Sequence, residues 1–131
     1  MVQNIKVNFM KPVIYLPTYT HGQVVASGHI DNYEFAIVSY GFAPAGFVRI
    51  PVHSSMYHQY KDLFMTPKIN AHYGIDYTEP YLFDKRGHWI GWHYDYPALD
   101  WTPTVPEGHK WETEEILGHI IKTVNQLSQM A

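Results

Sequence analysis

A single helical stripe near the C-terminus most constrains how this chain can fold. Its apolar residues recur at helical spacing and are Ile116, Leu117, Ile120, Ile121, Val124 and Leu127. Glu112, Glu114 and Glu115 crowd the first turn, where the helix dipole favours anions. Gly118 inside the stripe costs about 1 kcal/mol against alanine, so we expect it at a close packing contact. Most of the remaining chain favours strands, which predicts an α+β fold with this helix on one sheet face.

The predicted sheet is antiparallel and has about five strands. The strand-like segments are residues 2–9, 23–30, 33–40, 47–52, 71–77 and 88–96. Asp31-Asn32 tolerates turn geometry and predicts a hairpin between the second and third of these segments. A short helix is predicted over residues 54–64, and loops over residues 41–46, 78–87 and 97–108.

Length and composition predict one soluble domain over residues 1–131. The chain is 46% hydrophobic, which suits a globular protein with a modest core. The formal net charge of −3 and the lack of a basic stripe argue against nucleic acid as a partner. The absence of cysteine excludes disulfides and thiol catalysis and suits a reducing cytosol. The N-terminal residues lack a signal-peptide pattern and no segment is apolar enough to span a bilayer, so no membrane partner is expected.

Residues 71–77 and 88–96 both alternate between two kinds of side chain. In extended strands, one face would carry Ala71, Tyr73, Ile75, Tyr77, Ile90, Trp92, Tyr94 and Tyr96. The opposite face would carry His72, Gly74, Asp76, Trp89, Gly91, His93 and Asp95. The first set predicts core packed against the helix. The second set predicts an imidazole and carboxylate surface that stays exposed or is covered by loops or a second subunit.

A glycine in the middle of each strand predicts a shallow slot on that second face, because strand glycines often mark close approach of a ligand. The strand over residues 47–52, with Val48, Ile50 and Val52 on the core face, would add Arg49 and His53 to the slot. If the slot is catalytic, the predicted acid and base groups are His72, His93 and Asp76. The predicted ligand-binding residues are Arg49, His53, Tyr57, Gly74, Trp89, Gly91, Asp95 and Asp100.

The same segments resemble a group of small, mostly uncharacterised proteins encoded by bacteriophages and prophages. That group carries a Gly-Tyr-Val strand with a following Pro and His, a His-Gly-Gly strand followed by Thr-Tyr, and a Trp-Ile-Gly-Phe-Asp strand followed by His and Asp. The corresponding positions here are residues 46–53 with Tyr57, residues 72–77, and residues 89–92 with Asp100. This chain departs from the pattern at Tyr73, Asp76 and His93, where the group has Gly, Thr and Asp. The resemblance spans residues 33–127 and implies a phage accessory protein in the cytoplasm of the bacterial host.

Three functions stay open at this point. The leading hypothesis is a counter-defence binding protein that captures a nucleotide-like ligand or a host defence protein on the aromatic, His-rich face. The chain has 11 Tyr, 4 Trp and 9 His, which supply stacking surfaces with polar tips. The alternatives are a small-nucleotide phosphodiesterase and a virion or assembly component. No cofactor and no metal are predicted, because His93-x-Asp95 alone is too small a ligand set. Whether the chain forms a homo-oligomer is left open.

Overall fold

A six-stranded sheet and one long helix form the regular structure in a computed structural model that describes residues 4–130. The strands are β1 (Ile5–Asn8), β2 (Gln23–Ile30), β3 (Tyr33–Ser39), β4 (Pro44–Ile50), β5 (Tyr77–Leu82) and β6 (Lys85–His93). Their order across the sheet is β1-β2-β3-β4-β6-β5, and every neighbouring pair is antiparallel. Helix α1 (Thr113–Met130) follows at the C-terminus. The predicted α+β class is therefore confirmed, with one strand more than expected.

Helix α1 buries its apolar stripe against one face of the sheet. The fully buried stripe residues are Ile116, Ile120, Val124 and Leu127. They belong to the same hydrophobic cluster as Phe35, Ile37, Val48, Ile90 and Trp92 from the central strands. Burial of each large apolar side chain contributes roughly 1.5–3 kcal/mol. The helix therefore holds the central strands as a rigid support for the loops at their ends.

The other sheet face is also packed, which corrects the expectation of a free imidazole and carboxylate surface. A second hydrophobic cluster consists of Ala36, Val38, Ala45, Phe47, Leu82 and Trp89, with Val24, Tyr40 and Tyr77 packed against it. The turn between β5 and β6 reaches back over this face. A Cβ placed on Gly22 would lie 3.0 Å from the ring of Phe83 in that turn. Side chains next to the start of β2 and in the turn between β5 and β6 thus meet over this second face.

The predicted strand over residues 71–77 is wrong, as is the loop over residues 78–87. The chain turns at residues 71–73, because His72, Tyr73 and Gly74 take φ values of 21°, 68° and 118°. The following residues form the hairpin of β5 and β6. Tyr77 lies opposite Gly91 in the register, and its ring packs 5.1 Å from that of Phe47. Tyr77 therefore faces away from α1, contrary to the prediction.

The other boundaries shift by a few residues. The hairpin of β2 and β3 is confirmed, with Asp31 in its turn at a φ of 52°. Strand β4 starts inside the predicted loop and ends at Ile50, so Val52 is exposed rather than part of the core face. The predicted short helix is a 3-10 helix over Tyr57–Leu63. The predicted first strand is reduced to β1, and its start at residue 2 lies outside the described residues.

Replacing Gly118 with alanine should raise the free energy of unfolding by about 1 kcal/mol. The predicted close contact is wrong, since a Cβ at this position would have no heavy atom within 4 Å. Alanine would therefore restrict the unfolded chain without a clash in the helix. Urea unfolding followed by tryptophan fluorescence measures the change. A lower midpoint for Gly118→Ala than for the parent would contradict this placement of α1.

Candidate functional site

A pocket of about 190 Å³ opens where β6 ends and the chain enters β5. We call it the His93 pocket, and its lining consists of Met65, His72, Tyr73, Gly74, Asp76, His93, Asp95, Tyr96 and Pro97. Five of the predicted site residues, including all three predicted acid and base groups, are thus in one pocket. Asp76 and His93 come together where the pairing of β5 and β6 ends, and the turn at residues 71–73 and the loop over residues 94–97 bring in the other residues.

His93 and Asp76 form a hydrogen-bonded pair in this pocket. His93 is the last residue of β6, and the backbone N–H of Asp76 donates to the carbonyl of Gly91, 2.9 Å away. This anchor places Asp76 Oδ1 2.9 Å from Nδ1 of His93. The ionised carboxylate can only accept, so Nδ1 carries the proton. The other ring nitrogen, Nε2, makes no hydrogen bond to any residue between 4 and 130 and is available to a ligand.

The pKa of His93 is raised, although its partial burial acts in the opposite direction. Burial disfavours the charged imidazolium, but the hydrogen bond to Asp76 and the negative charges of Asp76 and Asp95 favour it more. Asp95 also accepts a hydrogen bond from the Tyr19 hydroxyl at 3.2 Å, and burial with this carboxylate raises the pKa of Tyr19 to about 12. Two carboxylates thus surround His93, and they offer hydrogen-bond acceptors to a ligand.

Two stacked tyrosines form the outer wall of the His93 pocket. The rings of Tyr73 and Tyr96 lie 4.0 Å apart with planes at 22°, and 57% and 43% of these residues are exposed. Both were predicted on the core face, and that prediction is wrong. The left-handed conformation of Tyr73 is strained for a side chain of this size, and such strain clusters at functional sites. The strained turn holds an aromatic surface in solvent beside the His93–Asp76 pair.

His72 forms the inner wall of the pocket and is held there by a buried hydrogen bond to Asp100. His72 Nε2 lies 2.6 Å from Asp100 Oδ2, and only 5% and 1% of the two side chains are exposed. The same carboxylate accepts from the backbone N–H of Tyr96 and from Trp111 Nε1, both at 2.8 Å. Burial alone would raise the pKa of Asp100. The hydrogen bonds from His72, Tyr96 and Trp111 lower it by more than burial raises it, so the pKa of Asp100 lies below its usual value. Asp100 thus positions His72 and the loop around Tyr96 and does not line the pocket itself.

Two predicted ligand-binding residues share the face of His93 but lie far along the sheet. Arg49 is paired in register with Trp89, four residues before His93, which is a distance of about 13 Å along β6. Arg49 forms an ion pair with Glu34, which also pairs with Lys85. Trp89 is buried in the second hydrophobic cluster, and its Nε1 has no hydrogen-bond partner among the described residues. Neither residue reaches the His93 pocket.

The remaining three predicted residues also lie outside the pocket. His53 is exposed in the turn after β4. Tyr57 stacks on His88, with ring centroids 3.8 Å apart. The predicted slot at Gly91 is filled, because a Cβ there would lie 2.3 Å from the ring of Phe47. Of the predicted imidazole and carboxylate surface, only the part at the end of β6 and in the adjoining loops therefore lies in the His93 pocket.

A second pocket, of about 330 Å³, adjoins the first and was missed from the sequence. We call it the Lys122 pocket, and it is lined by Asn70, His72, Tyr73, Trp111, His119 and Lys122. His119 follows Ile116 by three residues, and Lys122 follows His119 by three, so both lie beside the buried stripe. That spacing is a signal for a functional edge of the helix. A larger cleft of about 430 Å³ between residues 10–15 and 110–114 contains no histidine and no such hydrogen-bonded pair.

Comparisons with family models, curated proteins and solved structures found no match to this chain. Among residues 4–130, no group of three or more His, Asp or Glu side chains is arranged to hold a metal ion. The described helix lacks the apolar length that crossing a membrane requires. A functional proposal for this chain therefore rests on the residues of these two adjoining pockets.

Proposed function

We propose that the His93 pocket binds one ring of a nucleotide-like small molecule and that the protein acts by capturing it. The observation that carries the proposal is the exposed, stacked pair of Tyr73 and Tyr96 beside the hydrogen-bonded His93 and Asp76. Aromatic surfaces stack on any nucleobase, and polar groups at their edge read its hydrogen-bonding pattern.

The size of the pocket supports a ligand of which only one ring system is enclosed. Sites for drug-sized molecules usually exceed about 300 Å³, whereas this pocket measures about 190 Å³. A planar base could enter between the tyrosine wall and His93, while the sugar would remain outside.

The charges of the pocket support a base with amino groups rather than a phosphate. Asp76 and Asp95 are acceptors, and His93 Nε2 provides one further polar contact. An exocyclic amino group, as in adenine or guanine, would satisfy such acceptors. A phosphate would approach two carboxylates at close range, which favours a base over a phosphate in this pocket.

The resemblance to phage proteins supplies the biological setting of this proposal. Small phage accessory proteins commonly interfere with host defence, so the captured ligand would be a nucleotide signal of the bacterial host. Capture of a host protein, the other hypothesis from the sequence, would need no small molecule in the pocket, and a binding experiment separates the two.

Replacing Tyr96 with alanine should weaken binding of adenosine or guanosine by roughly 5- to 150-fold. Loss of one stacking surface costs about 1–3 kcal/mol, and every 1.4 kcal/mol is about tenfold in the dissociation constant. Isothermal titration calorimetry of the full chain measures the affinity. Tyr81→Ala is the matched control, because Tyr81 is similarly exposed at 47% but lies outside the pocket. Failure of both nucleosides to bind, or equal affinities for the two variants, would refute the proposal.

A phosphodiesterase is the second candidate, and the orientation of His93 favours it. Asp76 holds Nδ1, which leaves Nε2 free to take a proton from water, as a general base requires. The resulting hydroxide would attack phosphorus, and the leaving oxygen would take a proton from the second histidine. His72 could serve only through Nδ1, since Nε2 is committed to Asp100. Recovery of intact nucleotide after denaturing the loaded protein indicates capture, and recovery of its hydrolysis product indicates the enzyme.

A further inference from the structure

We infer that the Lys122 pocket binds the phosphate group of the same ligand whose base occupies the His93 pocket. This inference rests on the proposed function and adds a second subsite of opposite charge. His72 and Tyr73 line both pockets, so the two subsites lie on either side of one short turn. A nucleotide could place its base on one side of Tyr73 and its phosphate on the other.

The charged donor of the Lys122 pocket is the exposed ammonium of Lys122. It forms no ion pair with any carboxylate in residues 4–130, whereas the carboxylates of Asp76 and Asp95 line the first pocket. The loop that carries Asn70 is fixed to the same helix, because its backbone N–H donates to Gln126 Oε1 at 2.8 Å. The pocket thus brings an unpaired cation and an amide to one place without a carboxylate in its lining.

A chain of hydrogen bonds sets the proton position on His119. Trp92 Nε1 donates to the Tyr94 hydroxyl oxygen at 2.9 Å, and that oxygen lies 2.8 Å from His119 Nδ1. Burial raises the pKa of Tyr94, so it keeps its single proton, and His119 Nδ1 is the one described acceptor in reach. Nδ1 therefore accepts. Neutral His119 must then carry its proton on Nε2.

Nε2 of His119 has no partner among the described residues, so its N–H is available to an anion in the pocket. Burial and the positive charges of His72 and Lys122 lower the pKa of His119, and Glu115 and Asp100 oppose this shift only in part. The group is thus a neutral donor when the pocket is empty. A bound phosphate would accept this Nε2–H while Nδ1 keeps its hydrogen bond from Tyr94.

The test compares adenosine and guanosine with their 5′-monophosphates on the full chain. The monophosphate should bind at least tenfold more tightly than its nucleoside, because hydrogen bonds to charged groups contribute about 1.5–3 kcal/mol each, which is tenfold or more in affinity. Lys122→Gln should remove that difference and leave the nucleoside affinity unchanged. Lys68→Gln is the matched control, since it removes the same charge from an exposed lysine outside the pocket.

The outcomes separate this inference from the proposed function. If Lys122→Gln and Lys68→Gln weaken the monophosphate equally, the phosphate subsite is wrong, whatever the nucleosides do. If the nucleosides do not bind but the monophosphate still depends on Lys122, the subsite stands and the base pocket is wrong. His119→Gln should also reduce the difference, and an unchanged difference would overturn the role given to its Nε2.

Discussion

Replacing Asp100 with alanine should lower the free energy of unfolding by about 3–5 kcal/mol, because three donors lose the buried carboxylate that they share. The carboxylate is 1% exposed and accepts from His72, from Trp111 and from the backbone of Tyr96. Alanine would leave these three donors without their shared acceptor, and each unsatisfied donor that stays buried costs about 1–3 kcal/mol. Urea unfolding followed by tryptophan fluorescence measures the loss.

Two variants make this prediction specific. Asp100→Asn keeps the shape and one acceptor oxygen but removes the charge, so it should fall between the parent and Asp100→Ala. Leu99→Ala removes a larger side chain from the adjacent, 46% exposed position and should change stability by less than about 0.5 kcal/mol. Equal losses for Leu99→Ala and Asp100→Ala would show that the loop, rather than the carboxylate, carries the effect.

The contribution of Asp100 also sets a direction for acid unfolding. Its pKa in the folded protein lies below the ordinary value of 3.8, so folding favours the ionised form. The stabilisation is complete above that ordinary value and is lost as the pH falls through the lower folded pKa. Between these two pH values, Asp100→Ala should therefore lose less stability with acid than the parent does.

The sequence predicted the elements whose signals are local and missed those that depend on tertiary contacts. The stripe of α1 and the turn at Asp31 follow from periodicity and turn chemistry. The alternation in residues 71–77 resembled a strand, but Ala71 and Ile75 are buried on either side of a turn that exposes Tyr73. The alternating burial of this segment therefore comes from a turn, and the alternation in its sequence did not distinguish that turn from a strand.

The candidate site was predicted in part for the right physical reason. Asp76 and His93 meet because the end of one strand pairs antiparallel with the start of the other, as the neighbouring pair of Tyr77 and Gly91 shows. Arg49 was also correctly predicted to lie on the same sheet face as His93. Its distance from His93 was not predicted, because that distance depends on the register between β4 and β6. His119 was not among the predicted residues, because its place in a pocket depends on a long-range hydrogen bond to Tyr94.

Replacing Gly91 with alanine should lower the free energy of unfolding by about 2 kcal/mol, within the usual range of about 1–3 kcal/mol for overpacking. From the sequence, this glycine was interpreted as room for a ligand. In the fold, a Cβ would lie 2.3 Å from the Phe47 ring and 2.9 Å from the carbonyl oxygen of Gly46. The ring and the backbone would both have to move inside a packed cluster. Urea unfolding measures this loss.

A double-mutant cycle with Phe47→Leu assigns the cost to the ring. Leucine lacks the ring edge that meets the new methyl group, so Gly91→Ala should cost clearly less in that background than in the parent. The two substitutions would then be coupled, as contacting residues are. An unchanged cost would place the strain at the Gly46 carbonyl instead. If Gly91→Ala instead leaves stability unchanged and abolishes nucleoside binding, the predicted slot at Gly91 would be correct. The space beside this glycine would then hold the ligand rather than the ring of Phe47.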